Sequence, residues 1–134
     1  MAIKAPQNQD ALLQGGYAKV CDYFIIVPQG DVTDVVLCEM KTTLGDDNLV
    51  DACKQIRCSI PLFWYIKAVL TEHFGEDGEI RMHFAVIAAR ESTKMVQKRV
   101  PHRRGPGAYY DCGKYKVKSV IVRGPIPLSD LLRS

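Results

Sequence analysis

The sequence has no long apolar run. Its longest, Ile60 to Tyr65, falls far short of the roughly 20 residues that a membrane-spanning helix needs. The opening stretch, Met1 to Gln14, is too polar for the apolar core of a secretory signal, so the expectation is a cytoplasmic protein with no membrane partner. The five cysteines form no C-x-x-C pair and no Cys/His cluster at zinc spacing. Odd in number and set mostly in apolar runs, they read as reduced core thiols rather than as metal ligands or disulfides. Internal repeats and low-complexity blocks are also missing.

What is present is the make-up of one domain: 134 residues, 47% hydrophobic and 25% charged. The formal net charge of +3 hides a division along the chain. Residues 1–89 carry seven Lys/Arg against twelve Asp/Glu, whereas residues 90–123 carry ten against two. The acidic stretch and the basic stretch therefore call for separate explanations.

Gln7 to Gln14 predicts a short polar helix stopped by Gly15-Gly16. Tyr17–Val27 and Asp34–Thr43 are rich in aromatic and β-branched residues, and the turn chemistry of Pro28 to Asp31 between them predicts a hairpin. Asp46-Asp47-Asn48 offers an N-cap, after which Leu49, Ala52, Cys53, Ile56 and Ile60 mark one face of a helix on a sheet. Pro61 either kinks that helix or begins a second one running to His73. Ile80–Ala89 and Tyr115–Arg123 predict two more strands, the first central because it is almost continuously apolar. Ser129 to Arg133 predicts a closing helical turn. The sum is an α/β (α+β) fold, with a mixed central sheet of four or more strands and helices packed on it. Its core covers residues 17–123, and residues 90–114 form a basic excursion.

Glu39-Met40-Lys41 lies on the second strand. Alternation puts Glu39 and Lys41 on one face with Val35 and Leu37, and turns Met40 the other way into core. A carboxylate beside an ammonium serves a metal-dependent hydrolase, and it also occurs as a solvated ion pair worth about 0–1 kcal/mol. If the hairpin loop is Pro28–Thr33, Val27 opposes Asp34 and Asp22 opposes Glu39, so two carboxylates share a face about 5 Å apart at Cβ. A slip of one residue would destroy the pair. Asp22 sits in an apolar run, where an unpaired carboxylate is costly. Asp34 points to the other face and reads as solvation of the hairpin end.

An Asp on one strand, a turn, then E-x-K on the next, followed by a helix and further strands, resembles the PD-(D/E)XK nuclease superfamily. That superfamily includes restriction endonucleases, Holliday-junction resolvases and phage-defence nucleases. The resemblance spans roughly residues 17–123 and rests on three letters. It implies a restriction-endonuclease-like fold and a DNA endonuclease. Asp22 and Glu39 would hold Mg²⁺, or Mn²⁺ in its place, with the Met40 backbone carbonyl, and Lys41 would assist the attacking water. Val20-Cys21-Asp22 lacks the family's proline. Asp10 is the one candidate for an accessory acid ahead of the first strand. Gln55 is a candidate accessory residue on the helix, although Ser59 stands where one exonuclease branch has Tyr. Resolvase-like and restriction-like relatives are commonly dimers, and small nuclease domains often serve an ATPase or sensor subunit. The resemblance thus extends to a homodimer, with the Ile60–Tyr65 face available for it, or to a larger complex.

The basic segment complements that site. Lys94, Lys98, Arg99, Arg103 and Arg104, with His102, place five fixed positive charges in eleven residues with no acid between them. Such a segment supplies sequence-independent, salt-sensitive affinity for a nucleic-acid backbone. Tyr109-Tyr110 behind it can stack on unpaired bases or pack locally. The rival reading is a catalytically silent module that keeps the fold and uses the same segment to clamp nucleic acid or a partner protein.

Overall fold

The computed structural model describes residues 2–4, 19–75, 78–91 and 108–132. Asp10 lies outside the described residues with the rest of the expected N-terminal helix, and so do Lys94, Lys98, Arg99, His102, Arg103 and Arg104. The elements are β1 (Ala2–Lys4), β2 (Tyr23–Gln29), β3 (Val32–Leu44), α1 (Asp46–Phe74), β4 (Glu79–Glu91), β5 (Ala108–Cys112), β6 (Tyr115–Ile121) and α2 (Leu128–Leu132). Six strands form one sheet in the order β1-β2-β3-β4-β6-β5. It is mixed: β3, β4 and β6 run parallel in the middle, and antiparallel pairs flank them. The fold class is therefore α+β, with β4 central as its apolar sequence predicts.

β2 and β3 join in a tighter hairpin than the six-residue loop expected from Pro28–Thr33, because pairing continues to Gln29↔Val32. Only Gly30 and Asp31 remain to turn the chain, and Gly30 supplies a positive φ of 63° at no steric cost. Shortening the loop by two residues on each side leaves the register unchanged. Val27 still faces Asp34 and Tyr23 faces Cys38, where the ladder ends, so Asp22 stands one residue beyond the last pair.

α1 is one continuous helix of 29 residues with Pro61 inside it, and no second helix begins there. Pro61 lacks the N–H that would bond the carbonyl one turn earlier, yet the packed flanks carry the helix through: Leu62 and Phe63 are buried next to it. At the N-terminus Asp46 and Asp47 place negative charge in the first turn, but the cap is Gly45, with no side-chain hydrogen bond. Asn48 instead donates to the Thr43 carbonyl at 2.8 Å.

The α1 face of the sheet holds the larger core, built on Phe24, Leu37, Leu44, Ile56, Val86 and Val117. Phe24 meets Phe63 edge-on at 5.9 Å. Each such side chain contributes roughly 1.5–3 kcal/mol of burial. A smaller core on the opposite face gathers Val36, Cys38 and Ala85 under Leu131 of α2, so helices cover both faces, unequally.

Two expectations are corrected here. Residues 108–112 of the basic excursion form a strand on β6, with Gly113 turning the chain at φ 66°. Strand pairing wins in this polar stretch because Tyr110 and Cys112 alternate into the α1-side core. The five cysteines are also not all reduced: Cys53 of α1 and Cys112 of β5 form a disulfide with Cα atoms 5.6 Å apart. Cys21, Cys38 and Cys58 are free thiols. Cys53 sits on the apolar stripe of α1 like any core residue, and only the unforeseen strand brings Cys112 against it. Among the described residues, no helix is long and apolar enough to cross a membrane.

Candidate active site

The site forms where β2 ends but β3 runs on. β2 begins at Tyr23, opposite Cys38, so Glu39, Met40 and Lys41 extend past their antiparallel neighbour while remaining paired to β4. The Met40 N–H, which faces the missing strand, donates instead to Asp22 Oδ2 at 2.9 Å. In an extended strand the N–H and C=O of one residue leave on the same side, so the Met40 carbonyl also faces Asp22. The Met40 side chain turns away from Glu39 and Lys41 as expected, but it is half exposed rather than in the core, at 51%. The smaller core on that face ends before reaching it.

Glu39 and Lys41 project together toward α1. Glu39 is 2% exposed. Its Oε1 accepts from Lys41 Nζ at 2.9 Å, while its Oε2 is buried with no hydrogen-bond partner. Burial pushes the Glu39 carboxyl above its ordinary pKa; the hydrogen bond from Lys41 opposes that, and the nearby Asp22 charge adds to it. An orphaned carboxylate oxygen beside a second carboxylate is a strongly unfavourable arrangement for the protein alone.

Lys41 is held from three directions. Beyond Glu39, its ammonium donates to Asp51 Oδ2 and to Gln55 Oε1, each at 2.8 Å. Desolvation works to lower its pKa, but the hydrogen bonds to Asp51 and Glu39 outweigh it and the pKa is raised. Asp51, in turn, is held below the usual carboxylate range by the hydrogen bond from Lys41. Lys19 adds a looser contact to Asp51 at 3.8 Å.

One face of α1 builds this arrangement. Asp51, Gln55 and Ser59 follow at intervals of four and so point the same way. Gln55 uses its amide on two segments, accepting from Lys41 and donating to the Val20 carbonyl at 3.4 Å. Ser59, fully buried, accepts from the Cys21 N–H and donates to the Gln55 carbonyl, both at 2.7 Å. The residues just before Asp22 are thus anchored by the same helix that anchors Lys41.

Asp22, Glu39, Met40, Lys41 and Gln55 therefore come together. Asp51 joins them without having been expected. Its signal in the sequence is its place one turn before Gln55, but at the start of an acidic helix it reads as a charge on the helix dipole. Asp34 departs from its expected role: it is buried, not solvating a hairpin end. His83 Nε2 lies 2.8 Å and Arg81 Nε 3.2 Å from its Oδ1. The hydrogen bond to His83 is the chief reason that its pKa is lowered. This cluster lies on the α2 face and has no role in the Glu39 site.

The donors at hand for a cation are two carboxylates and a carbonyl, the oxygen set that suits Mg²⁺. Among the described residues, no three or more His, Cys, Asp or Glu gather so that they could hold a metal ion by themselves. No protein-family model, curated protein or solved structure matches the chain.

Proposed function

We propose that the protein is a Mg²⁺-dependent nuclease of the PD-(D/E)XK kind, with a restriction-endonuclease-like fold, that hydrolyses phosphodiester bonds of DNA. The observation that carries this reading is the unpartnered, buried Oε2 of Glu39 next to Asp22. A buried carboxylate oxygen with nothing to bond is expected where a cation completes the site. Asp22, Glu39 and the Met40 carbonyl would hold the ion. Bound Mg²⁺, or Mn²⁺ in its place, lowers the pKa of a coordinated water and offsets charge on the phosphate. Lys41, fixed by Glu39, Asp51 and Gln55, presents an ammonium that orients the water and neutralises charge developing at phosphorus. Gln55 and Ser59 position Lys41 and the segment before Asp22 without touching substrate. The basic segment from Lys94 to Arg104 supplies phosphate contacts. Retention of Asp22, Glu39 and Lys41 together favours an enzyme over a silent binding module.

The test is cleavage of linear and circular DNA by the purified chain in Mg²⁺ and in chelator. Asp22→Ala, Glu39→Ala and Lys41→Ala should each abolish metal-dependent cleavage while circular dichroism and DNA binding persist. Full activity in any one of the three would falsify the assignment.

A further inference from the structure

A second site lies on the other face of the sheet. The ladder between β4 and β6 begins only at Ala85↔Lys118, and ahead of it the two strands border a groove of about 510 Å³. That volume lies within the range of small-molecule sites, about 300–1,000 Å³. His83 and Phe84 line it from β4, Tyr115, Lys116 and Lys118 from β6, and Tyr109 from β5. Leu131 of α2 closes one end.

Strand alternation fixes which of these act together. Lys116 and Lys118 are two residues apart on β6 and share a face, about 6.6 Å apart along the strand. Tyr109 is the direct cross-strand partner of Lys118, and the Lys118 ammonium lies 5.7 Å from the Tyr109 ring centre. His83 is on the same face, with Asp34 bonded to its Nε2. Lys118 is 7% exposed, and its ammonium donates to the Asp130 carbonyl of α2. A lysine held this way keeps its charge at a fixed point beside the groove rather than in bulk water. Lys114 joins Lys116 and Lys118 among the residues lining the groove, whereas the carboxylates on this face, Asp111 across from Lys116 and Asp34 on His83, do not line it.

An exposed aromatic ring beside two lysines on one strand face, one of them buried, matches a ligand that carries a flat aromatic ring and an anionic group separated by about a strand repeat. We propose that this groove binds a nucleoside monophosphate unit, its base on Tyr109 and its phosphate at Lys116 and Lys118. The proposal is independent of cleavage at Glu39, which lies on the α1 face.

The experiment is calorimetric titration of the whole chain with 5′-dAMP, deoxyadenosine, inorganic phosphate and a six-nucleotide oligo(dA). The expected result is one-to-one binding of 5′-dAMP, at least about tenfold tighter than deoxyadenosine or phosphate alone. Tyr109→Ala should weaken it by about five- to a hundredfold, the usual worth of one base stacked on an aromatic ring. Lys116→Glu, at an exposed position opposite Asp111, should weaken it at least about tenfold once circular dichroism shows the variant folded. Lys118→Met is the companion variant, read only after circular dichroism shows it folded. Oligonucleotide binding tighter than that of 5′-dAMP and weakened by Tyr109→Ala identifies the natural ligand as a strand; oligonucleotide binding that Tyr109→Ala leaves unchanged belongs to the basic segment and identifies the groove's ligand as a free nucleotide, and either result, with 5′-dAMP bound, upholds the site. The proposal is overturned by no saturable 5′-dAMP binding at millimolar concentration, or by binding unchanged in both Tyr109→Ala and Lys116→Glu. Glu39→Gln should leave this titration unchanged, so loss of cleavage and loss of the groove are read separately.

Discussion

Lys41 neutralises only half of Glu39. Its ammonium lies 2.9 Å from Oε1, while Oε2 of the same carboxylate is buried without a partner. The pair is thus a partly satisfied buried ion pair, an arrangement that costs stability unless something else completes it.

In metal-free protein, Glu39 makes folding depend on pH in a particular direction. Its pKa in the fold is raised above the ordinary 4.5, first by burial. The fold binds that proton more tightly than the unfolded chain does, so its contribution is fully present below pH 4.5 and is lost as pH rises through the raised value. Glu39→Gln should therefore melt above the wild type at mildly alkaline pH in chelator, while losing all cleavage. Added Mg²⁺ should raise the melting temperature of the wild type alone. A lower melting temperature for Glu39→Gln would show that Oε2 carries no penalty.

Asp51 and Gln55 both accept from the Lys41 ammonium, and neither belongs to the proposed metal-binding set. Asp51→Asn and Gln55→Ala should each lower kcat by about 10- to 100-fold, the usual effect of removing an outer-shell partner. KM for DNA and the Mg²⁺ requirement should stay close to wild type. A changed Mg²⁺ requirement would instead assign Asp51 to the metal.

Asp34 makes the opposite kind of pH dependence. Its pKa is depressed, first through the His83 hydrogen bond. Its stabilisation is therefore present above the ordinary value of 3.8 and lost as pH falls through the depressed value. Asp34→Asn should flatten the acid limb of the stability curve and leave DNA cleavage intact. Urea unfolding monitored across the acid range decides this, and an unchanged acid limb would count against the pairing with His83.

The Cys53–Cys112 bridge closes a loop with a sequence separation of 59. On the chain-entropy account such a bridge contributes about 4 kcal/mol. Thiol titration of the unfolded, unreduced chain should find three free thiols of the five cysteines. Cys112→Ser should unfold at markedly lower denaturant and with a steeper slope, because the unfolded chain loses its cross-link and exposes more surface. Five free thiols would remove the bridge.

Composition and periodicity together make most of the framework legible. β2 and β3 stand out by aromatic and β-branched residues, β4 by its almost unbroken apolar run and the first half of α1 by its repeat of three to four, and the hairpin register follows from where Val27 and Asp34 stand. Glu39 and Lys41 share a face by alternation along β3, and the register brings the chain to Tyr23 opposite Cys38, so Asp22 arrives beside them one residue past the ladder. β5 is hidden because Ala108–Cys112 alternates only Tyr110 and Cys112 inward, too short a pattern to stand out beside a run of arginines. Asp34 misleads because its partners, Arg81 and His83, come from a parallel strand 47 and 49 residues away. The disulfide depends on β5 and is hidden with it. Asp51 is a contact made across the fold by a residue with an ordinary local role.

Three side chains on one face of α1, at positions 51, 55 and 59, hold Lys41 on one side and residues 20–21 on the other. Inserting one residue between Asp51 and Ser59 would rotate the downstream end of that face by about 100° and pull the two halves of the site out of step. Diverging relatives should therefore keep this stretch constant in length. Beyond Ser59 the buried Leu62 and Phe63 still tie the helix to the core, and only past Phe63, over the eleven residues to Phe74, can length drift. The same helix holds a segment closed to insertions and deletions and one open to them, with the boundary falling just after Phe63.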